Sequence, residues 1–176
     1  MRIIVLLLIV GVLVVLGYAA TRPDSFRLER SISVKAPPEK VFALINDFQK
    51  WALWSPWEKK DPAMKRTHSG ATQGVGAAYA WEGNKEVGSG RMEVMESMPA
   101  SKVSVKLHFL KPFEAQNTAE FTLTPKGEQT EVVWAMFGPQ PFMAKLMGLF
   151  FSMEKMVGPD FEQGLATLKA VAERPN

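Results

Sequence analysis

Residues 36–57 read APPEKVFALINDFQKWALWSPW, and this stretch predicts two consecutive helices. The prolines of the 36–39 segment suit a first helical turn, and its glutamate favours the positive end of the helix dipole. A second, short helix carries Trp51, Trp54 and Trp57, and Pro56 marks its end, because proline interrupts helical hydrogen bonding. The first helix has one apolar face at helical spacing, formed by Val41, Leu44, Ile45 and Phe48.

On both sides of this stretch the sequence alternates between apolar and polar residues, which is typical of strands with one buried face. Turn residues such as Gly, Pro and Asn separate the runs, which favours an antiparallel meander over alternating strands and helices. The predicted strands fall at residues 27–34, 77–81, 90–94, 103–109, 117–123 and 130–136.

The last part of the chain, residues 142–173, has a helical period, with an apolar stripe at Phe161, Leu165, Leu168 and Ala172. Proline at position 159 predicts two helices or one kinked helix. This helix is the element long enough to cover the apolar face of the sheet. The sequence therefore predicts an α+β fold: a curved antiparallel sheet of about seven strands wrapped on a long C-terminal helix, with a cavity between them.

The N-terminal segment, residues 3–20, carries no charge in eighteen residues. As a helix it is about 27 Å long, close to the thickness of the hydrocarbon core of a bilayer. We predict that residues 1–22 form a transmembrane anchor and residues 23–176 the folded domain. A cleaved signal peptide is the alternative, and it would leave the domain secreted or periplasmic. The flanking charges do not assign the domain to one side of the membrane.

The composition excludes several classes of function. The chain has no cysteine, which removes disulfides, thiolate metal sites and cysteine nucleophiles. Its 21 Lys and Arg nearly balance its 18 Asp and Glu, without the basic stripe of a nucleic-acid-binding protein. Its two histidines lie forty residues apart, so we predict no metal, and we also predict no cofactor.

Three parts of the chain resemble the SRPBCC superfamily, which includes START-like domains and proteins labelled polyketide cyclases. They are residues 36–57, the strand sequence Thr130–Trp134, and residues 160–169 of the last helix. The resemblance spans roughly residues 26–173 and implies the helix-grip fold. It does not select one function, because members of that superfamily include lipid carriers, hormone binders, cochaperone modules, cyclases and oxygenases. The proline at position 159 departs from the uninterrupted helix of the family.

These features predict a membrane-anchored domain that binds a hydrophobic small molecule or lipid between the sheet and the C-terminal helix. The predicted ligand-binding residues are Tyr79, Trp81, Met92, Phe121, Trp134, Met136, Met153 and Phe161. Each of them is also a reasonable core residue. Residues 142–156 hold four Met and three Phe, which favours a lid, a lipid-contacting surface or a buried helix.

Two other functions stay open at this point. An enzyme of the cyclase or dehydratase type would need ionisable or polar groups facing the cavity, and the candidates are His108, Glu96 and Asn117. Strand alternation places Asn117 inward and His108 on the opposite face, and it allows Glu96, at a strand end, to point inward. The third alternative is a protein-interaction module of the cochaperone type. A cavity lined by His108 and Glu96 would favour the enzyme, and a filled interior would favour the interaction module.

Overall fold

The computed structural model describes residues 1–175, so the last residue of the predicted domain, Asn176, lies outside the described part. Seven strands and five α-helices make up the fold. The helices are α1 (Arg2–Ala20), α2 (Pro38–Ile45), α3 (Pro56–Lys60), α4 (Phe142–Met147) and α5 (Met153–Ala172), with a 3₁₀ helix at Phe48–Leu53. The strands are β1 (Ser25–Val34), β2 (Lys65–Gly70), β3 (Ala77–Glu82), β4 (Ser89–Met98), β5 (Lys102–Lys111), β6 (Ala115–Lys126) and β7 (Gln129–Pro139).

All seven strands form one antiparallel sheet in the order β1-β7-β6-β5-β4-β3-β2. Strands β2 to β7 are therefore a meander, and β1 closes the far edge by pairing with β7. We call the end of the sheet where β1 begins and β7 ends the α1 end, because α1 lies four residues before β1. The opposite end, where β1 ends at Val34 and β7 begins at Gln129, is the far end.

Helix α5 lies across the inner face of the sheet and is fixed mainly along β1. The carboxylate of Glu173 accepts a hydrogen bond from the backbone N–H of Lys35, and the Lys169 amine donates to the Ser33 carbonyl. Near its other end, the Arg30 guanidinium pairs with Glu154 and, at 2.8 Å, with Glu162. The fold is thus the predicted helix-grip arrangement, with the core between α5, α2, the 3₁₀ helix and the sheet.

Three details differ from the sequence-based expectation. Pro56 begins α3, which carries Trp57, instead of ending the helix before it. Helix α5 runs unbroken through Pro159, and the interruption lies instead at residues 148–152, where Gly148 ends α4 and the Ser152 side chain caps α5. Strand β2, which is missing from the strands predicted from sequence, pairs with β3 over its whole length. It forms an edge of the sheet and is almost wholly exposed, so its sequence KRTHSG carries little apolar alternation.

Helix α1 is apolar throughout and exposed along nearly its whole length. It is long and apolar enough to cross a membrane, a property that a signal sequence near the N-terminus shares. Ala19 is its one buried residue. Helix α4 contacts α1, so the base of α1 is packed against the domain.

Candidate ligand-binding site

The far half of the inner face is filled by aromatic rings. Trp134 of β7 stacks on Phe161 of α5 with ring centroids 4.1 Å apart, and on Phe121 of β6 at 5.0 Å. Trp54 and Trp57, which flank the start of α3, meet the Trp134 ring edge-on at 5.6 and 5.7 Å. Such stacked and edge-on pairs are favourable beyond the area that they bury. This half is therefore a packed core, with aromatic rings in the place where the sequence predicted a cavity.

Close approach of α5 to the sheet depends on Gly164. A Cβ atom at this position would lie 2.8 Å from the Trp134 ring and 3.0 Å from Pro56. Trp134 is 2% exposed, and its indole Nε1 has no hydrogen-bond acceptor among the described residues. A buried donor without a partner costs roughly 1–3 kcal/mol. The Trp134 indole N–H is thus a buried donor in this core, and an oxygen atom of a bound molecule could accept its hydrogen bond.

Toward the α1 end, the same inner face opens. Along β5, Val103 and Val105 are at most 1% exposed, whereas Leu107 and Phe109 are only partly buried. Strand β6 changes in the same way between Phe121, which is fully buried, and the half-buried residue 117. Helix α5 covers the far half and leaves this end partly uncovered. The half-buried inner residues at the α1 end are Phe26, Trp81, Leu107, Phe109, Asn117 and Gly138.

A groove of about 400 Å³ lies at the α1 end, where β1 begins and β7 ends. Its lining includes Phe26 and Gly138 from the inner face, and Arg27 and Phe137 from the outer face. The Arg27 guanidinium stands 5.2 Å from the centre of the Phe137 ring. Most of the lining is apolar, with one cationic side chain at the rim. A smaller hollow of about 190 Å³ lies elsewhere, between Phe48 and residues 68–72.

A buried polar cluster joins α3 to β2 and β3. The Tyr79 hydroxyl donates to Glu58 Oε1 at 2.8 Å, and Arg66 Nε donates to Glu58 Oε2 at 2.7 Å. Burial, and next the hydrogen bond to the Glu58 carboxylate, raise the pKa of Tyr79 well above its ordinary value. The pKa of Arg66 is raised by its hydrogen bond with Glu58. This cluster keeps Tyr79 protonated and fixes α3, which carries Trp57, to the edge of the sheet.

The predicted ligand-binding residues divide into three groups. The buried members of the inner face are Tyr79, Met92, Phe121, Trp134, Met136 and Phe161. Trp81 lies at the half-buried α1 end, where its ring meets Phe109 at 5.8 Å. Met153 is 44% exposed at the start of α5 and lies outside the core. Sequence reasoning left out Trp57, Leu107 and Phe109, although strand alternation placed the last two on the apolar face.

The predicted catalytic candidates are not brought together. The His108 Nε2 atom lies 3.0 Å from the exposed Glu114 carboxylate, and Glu96 pairs with Lys102 at 2.9 Å. Both side chains belong to the outer face. Glu96 turns outward because a bulge between Val94 and Glu96 shifts the strand alternation. Asn117 faces inward, where its amide oxygen fills the space that a Cβ atom at Gly138 would occupy.

Solved structures with the same fold confirm the architecture. Protein CV1439 from Chromobacterium violaceum is 18% identical, with a TM-score of 0.60 over 88% of this chain and 100% of its own. The major latex-like protein 151 from Panax ginseng is 11% identical, with a TM-score of 0.61 over 86% of this chain and 100% of its own. The di-domain ARO/CYC StfQ from the steffimycin biosynthetic pathway is 12% identical, with a TM-score of 0.63 over 85% of this chain and 51% of its own.

No curated protein sequence matches the chain significantly. The sequence model of one protein family, described as polyketide cyclase / dehydrase and lipid transport, matches residues 25–173. The match begins at the first residue of β1 and ends one residue after α5, so it covers the whole helix-grip domain and leaves α1 outside. By fold and by sequence, the chain belongs to the polyketide cyclase / dehydrase and lipid transport family.

Proposed function

We propose that this chain is a membrane-tethered domain that binds an apolar small molecule or lipid on the inner face of its sheet. In this proposal residues 3–20 are a retained anchor and residues 23–176 carry the binding site. The observation that carries the proposal is the change in burial along the inner face. Apolar side chains are packed under α5 at the far half and partly uncovered at the α1 end.

The partly uncovered end offers what an apolar ligand needs. Leu107, Phe109 and Trp81 provide apolar contact area, and Asn117 provides one polar group for orientation. Ligand sites of this kind are concave, mostly apolar and supplied with few polar groups. Deeper in the interface, the unpaired indole N–H of Trp134 supports entry of a molecule that carries an oxygen acceptor.

The short length of helix α3 supports the proposal that the packed half can open to admit a ligand. It has five residues, and it holds Trp57 half-buried against Trp134 and Phe161. Rotation of the Trp57 ring away from Phe161 would extend the open end toward Trp134. Apolar atoms of the ligand would then contact the rings that Trp57 has left. These contacts replace the lost contacts between rings, so the free-energy cost of opening is low.

Tethering supports an apolar ligand because such molecules concentrate in bilayers. Residues 21–24 are the whole connection between α1 and β1, and four extended residues span at most about 14 Å. The open end of the inner face therefore stays close to any membrane that α1 crosses.

Native mass spectrometry of the full chain, extracted gently from membranes, tests the proposal. We expect an added mass from a bound apolar molecule in the wild-type protein and its loss in Phe109→Asp, which places a charge on the open inner face. Lys106→Asp is the matched control, because Lys106 lies on the same strand, is exposed and points to the other face. Thermal melts of both variants show whether the fold is retained.

The proposal fails if the wild-type protein carries no added mass, or if both folded variants lose it equally. Absence of a ligand would favour the protein-interaction module, for which the aromatic filling of the far half is the supporting observation. A cyclase or dehydratase would have to work with Asn117, because His108 and Glu96 lie on the outer face.

A further inference from the structure

The segment from α4 to the start of α5 exposes a large apolar surface. Four of its side chains are more than half exposed: Phe150 at 71%, Met143 and Met156 at 63%, and Phe151 at 60%. Exposed apolar patches of this size mark sites that contact a protein or a membrane. We call the following residues the apolar shelf: Phe142, Met143, Met147, Phe150, Phe151, Met153 and Met156.

The apolar shelf is attached to the base of α1. Helix α4 packs against α1, and Ala19 in the last turn of α1 is completely buried. The Lys145 amine, on a 7% exposed residue, pairs with the Asp24 carboxylate at 2.5 Å. The backbone N–H of Gln140 donates to the Asp24 carbonyl at 2.7 Å. These contacts fix the position of α4 along the axis of α1, next to the C-terminal end of that helix.

The length of α1 then sets the depth of the shelf in a membrane. Nineteen helical residues measure about 28 Å, and the hydrocarbon core is about 30 Å thick. All of α1 is needed to cross that core, so its last turn lies at the boundary between the acyl chains and the headgroups. Because α4 packs against α1 and is tied to Asp24 just after it, the α4 side of the shelf lies at the same depth.

The charges near the shelf fit phospholipid headgroups. The acidic groups Asp24 and Glu154 are each held by a cation, Lys145 and Arg30. Two exposed cations lie beside them, Arg22 after α1 and Lys155 within the shelf segment. Cations next to an apolar surface favour the interface of a bilayer that contains anionic lipids.

The β5–β6 turn lies at the same end of the sheet and adds to this surface. Leu110 is 51% exposed and Phe113 is 68% exposed. The turn leads into the start of β6, which lies next to Gly138 of β7. A Cβ atom at Gly138 would contact the Asn117 side chain and the Gln116 carbonyl. Two separate chain segments thus present apolar side chains at the α1 end of the molecule.

We infer that the apolar shelf inserts into the interfacial layer of the same bilayer that α1 crosses, and so holds the open end of the inner face against the membrane. The inference rests on the proposed anchoring by α1. It names a second membrane contact, which would let an apolar ligand pass between bilayer and sheet with little exposure to water.

Single cysteines provide the test, because the natural chain has none. Phe150→Cys and Phe151→Cys report on the shelf, and Leu13→Cys reports on α1. Val75→Cys is the matched control, because Val75 is 60% exposed in the β2–β3 connection at the far end of the sheet. Each full-length variant is labelled with an environment-sensitive fluorophore and placed in nanodiscs of phosphatidylcholine and phosphatidylglycerol, with or without nitroxide-labelled lipids.

We expect nitroxide lipids to remove most of the fluorescence at positions 13, 150 and 151 and little at position 75. Quenching at position 13 without quenching at 150 and 151 would overturn the inference and leave the anchor intact. A label at position 150 whose emission is blue-shifted but not quenched would also overturn the inference. Its surroundings would then be apolar without being lipid, so a protein would cover the shelf. Absence of quenching at all four positions would refute the anchor itself.

Discussion

The two halves of the inner sheet face share the same alternating pattern of apolar residues. They differ in the helices and side chains that cover them. In the far half, α5, α2 and the aromatic residues of the 36–57 segment bury residues such as Val105 and Phe121 completely. In the α1 half, Leu107 and Phe109 continue the alternation on the same strand but are only partly buried. The pattern of a strand therefore fixes which face is apolar, and the placement of α5 decides which part of that face is core.

This difference gives each half a separate role. The far half supplies most of the hydrophobic stabilisation, because burial of apolar area is the main favourable term in folding. The α1 half keeps apolar area available and lies beside a helix able to cross a membrane. Substitutions in the first half should therefore change stability, and substitutions in the second should change binding.

The largest effect is expected for Phe161→Ala. Phe161 is 1% exposed and stacked on Trp134, so its truncation leaves a cavity and should lower the free energy of unfolding by about 3–5 kcal/mol. Urea unfolding of the full chain in detergent micelles measures the change. Phe150→Ala is the control, since Phe150 is 71% exposed and its truncation should cost less than about 0.5 kcal/mol. Equal losses in the two variants would show that the far half is not the stabilising core.

A smaller loss is expected when α5 is pushed away from the sheet by Gly164→Ala. The added Cβ would meet the Trp134 ring at 2.8 Å, and such overpacking costs roughly 1–3 kcal/mol. Alanine regains about 1 kcal/mol of helix propensity, so we expect a net loss centred on about 1 kcal/mol. Gln163→Ala, on the exposed side of the same helix, should be near neutral. A Gly164→Ala protein as stable as Gln163→Ala would mean that the packed half opens easily.

Much of this fold could be predicted from local patterns. The helix that begins at Pro38, the strand around Val105 and the helical stripe through Phe161 follow from spacing alone. The edge strand β2 could not be predicted in this way, because a strand without a buried face needs no alternation of apolar and polar residues. The continuity of α5 through Pro159 was also missed, because the packing of α5 on β1 outweighs the local preference of proline.

The candidate site was less accessible to sequence reasoning. Alternation identified the inner face but not the point where α5 stops covering it, which depends on tertiary packing at Gly164. Glu96 was misplaced because a bulge changes the alternation of β4 without a glycine to signal it. The Tyr79–Glu58–Arg66 cluster joins residues that are distant in sequence, and no spacing rule brings them together.

The smallest effect concerns the border of the two halves, where the Tyr79 hydroxyl donates a hydrogen bond to the Glu58 carboxylate. Burial raises the pKa of Tyr79 in the folded state, so the folded protein keeps a proton that the unfolded chain releases near pH 10. The resulting stabilisation is complete below pH 10 and decreases as the pH rises above that value. One pH unit above it, a single group can remove at most about 1.4 kcal/mol.

Tyr79→Phe tests this dependence, because phenylalanine keeps the ring and has no proton to release. Urea unfolding at pH 9 and pH 11 should show a larger fall in the free energy of unfolding for the wild-type protein than for the variant. Lysine and arginine titrations occur in both proteins and cancel in the comparison. Identical falls would mean that Tyr79 titrates normally, and that burial does not hold its proton in the folded state.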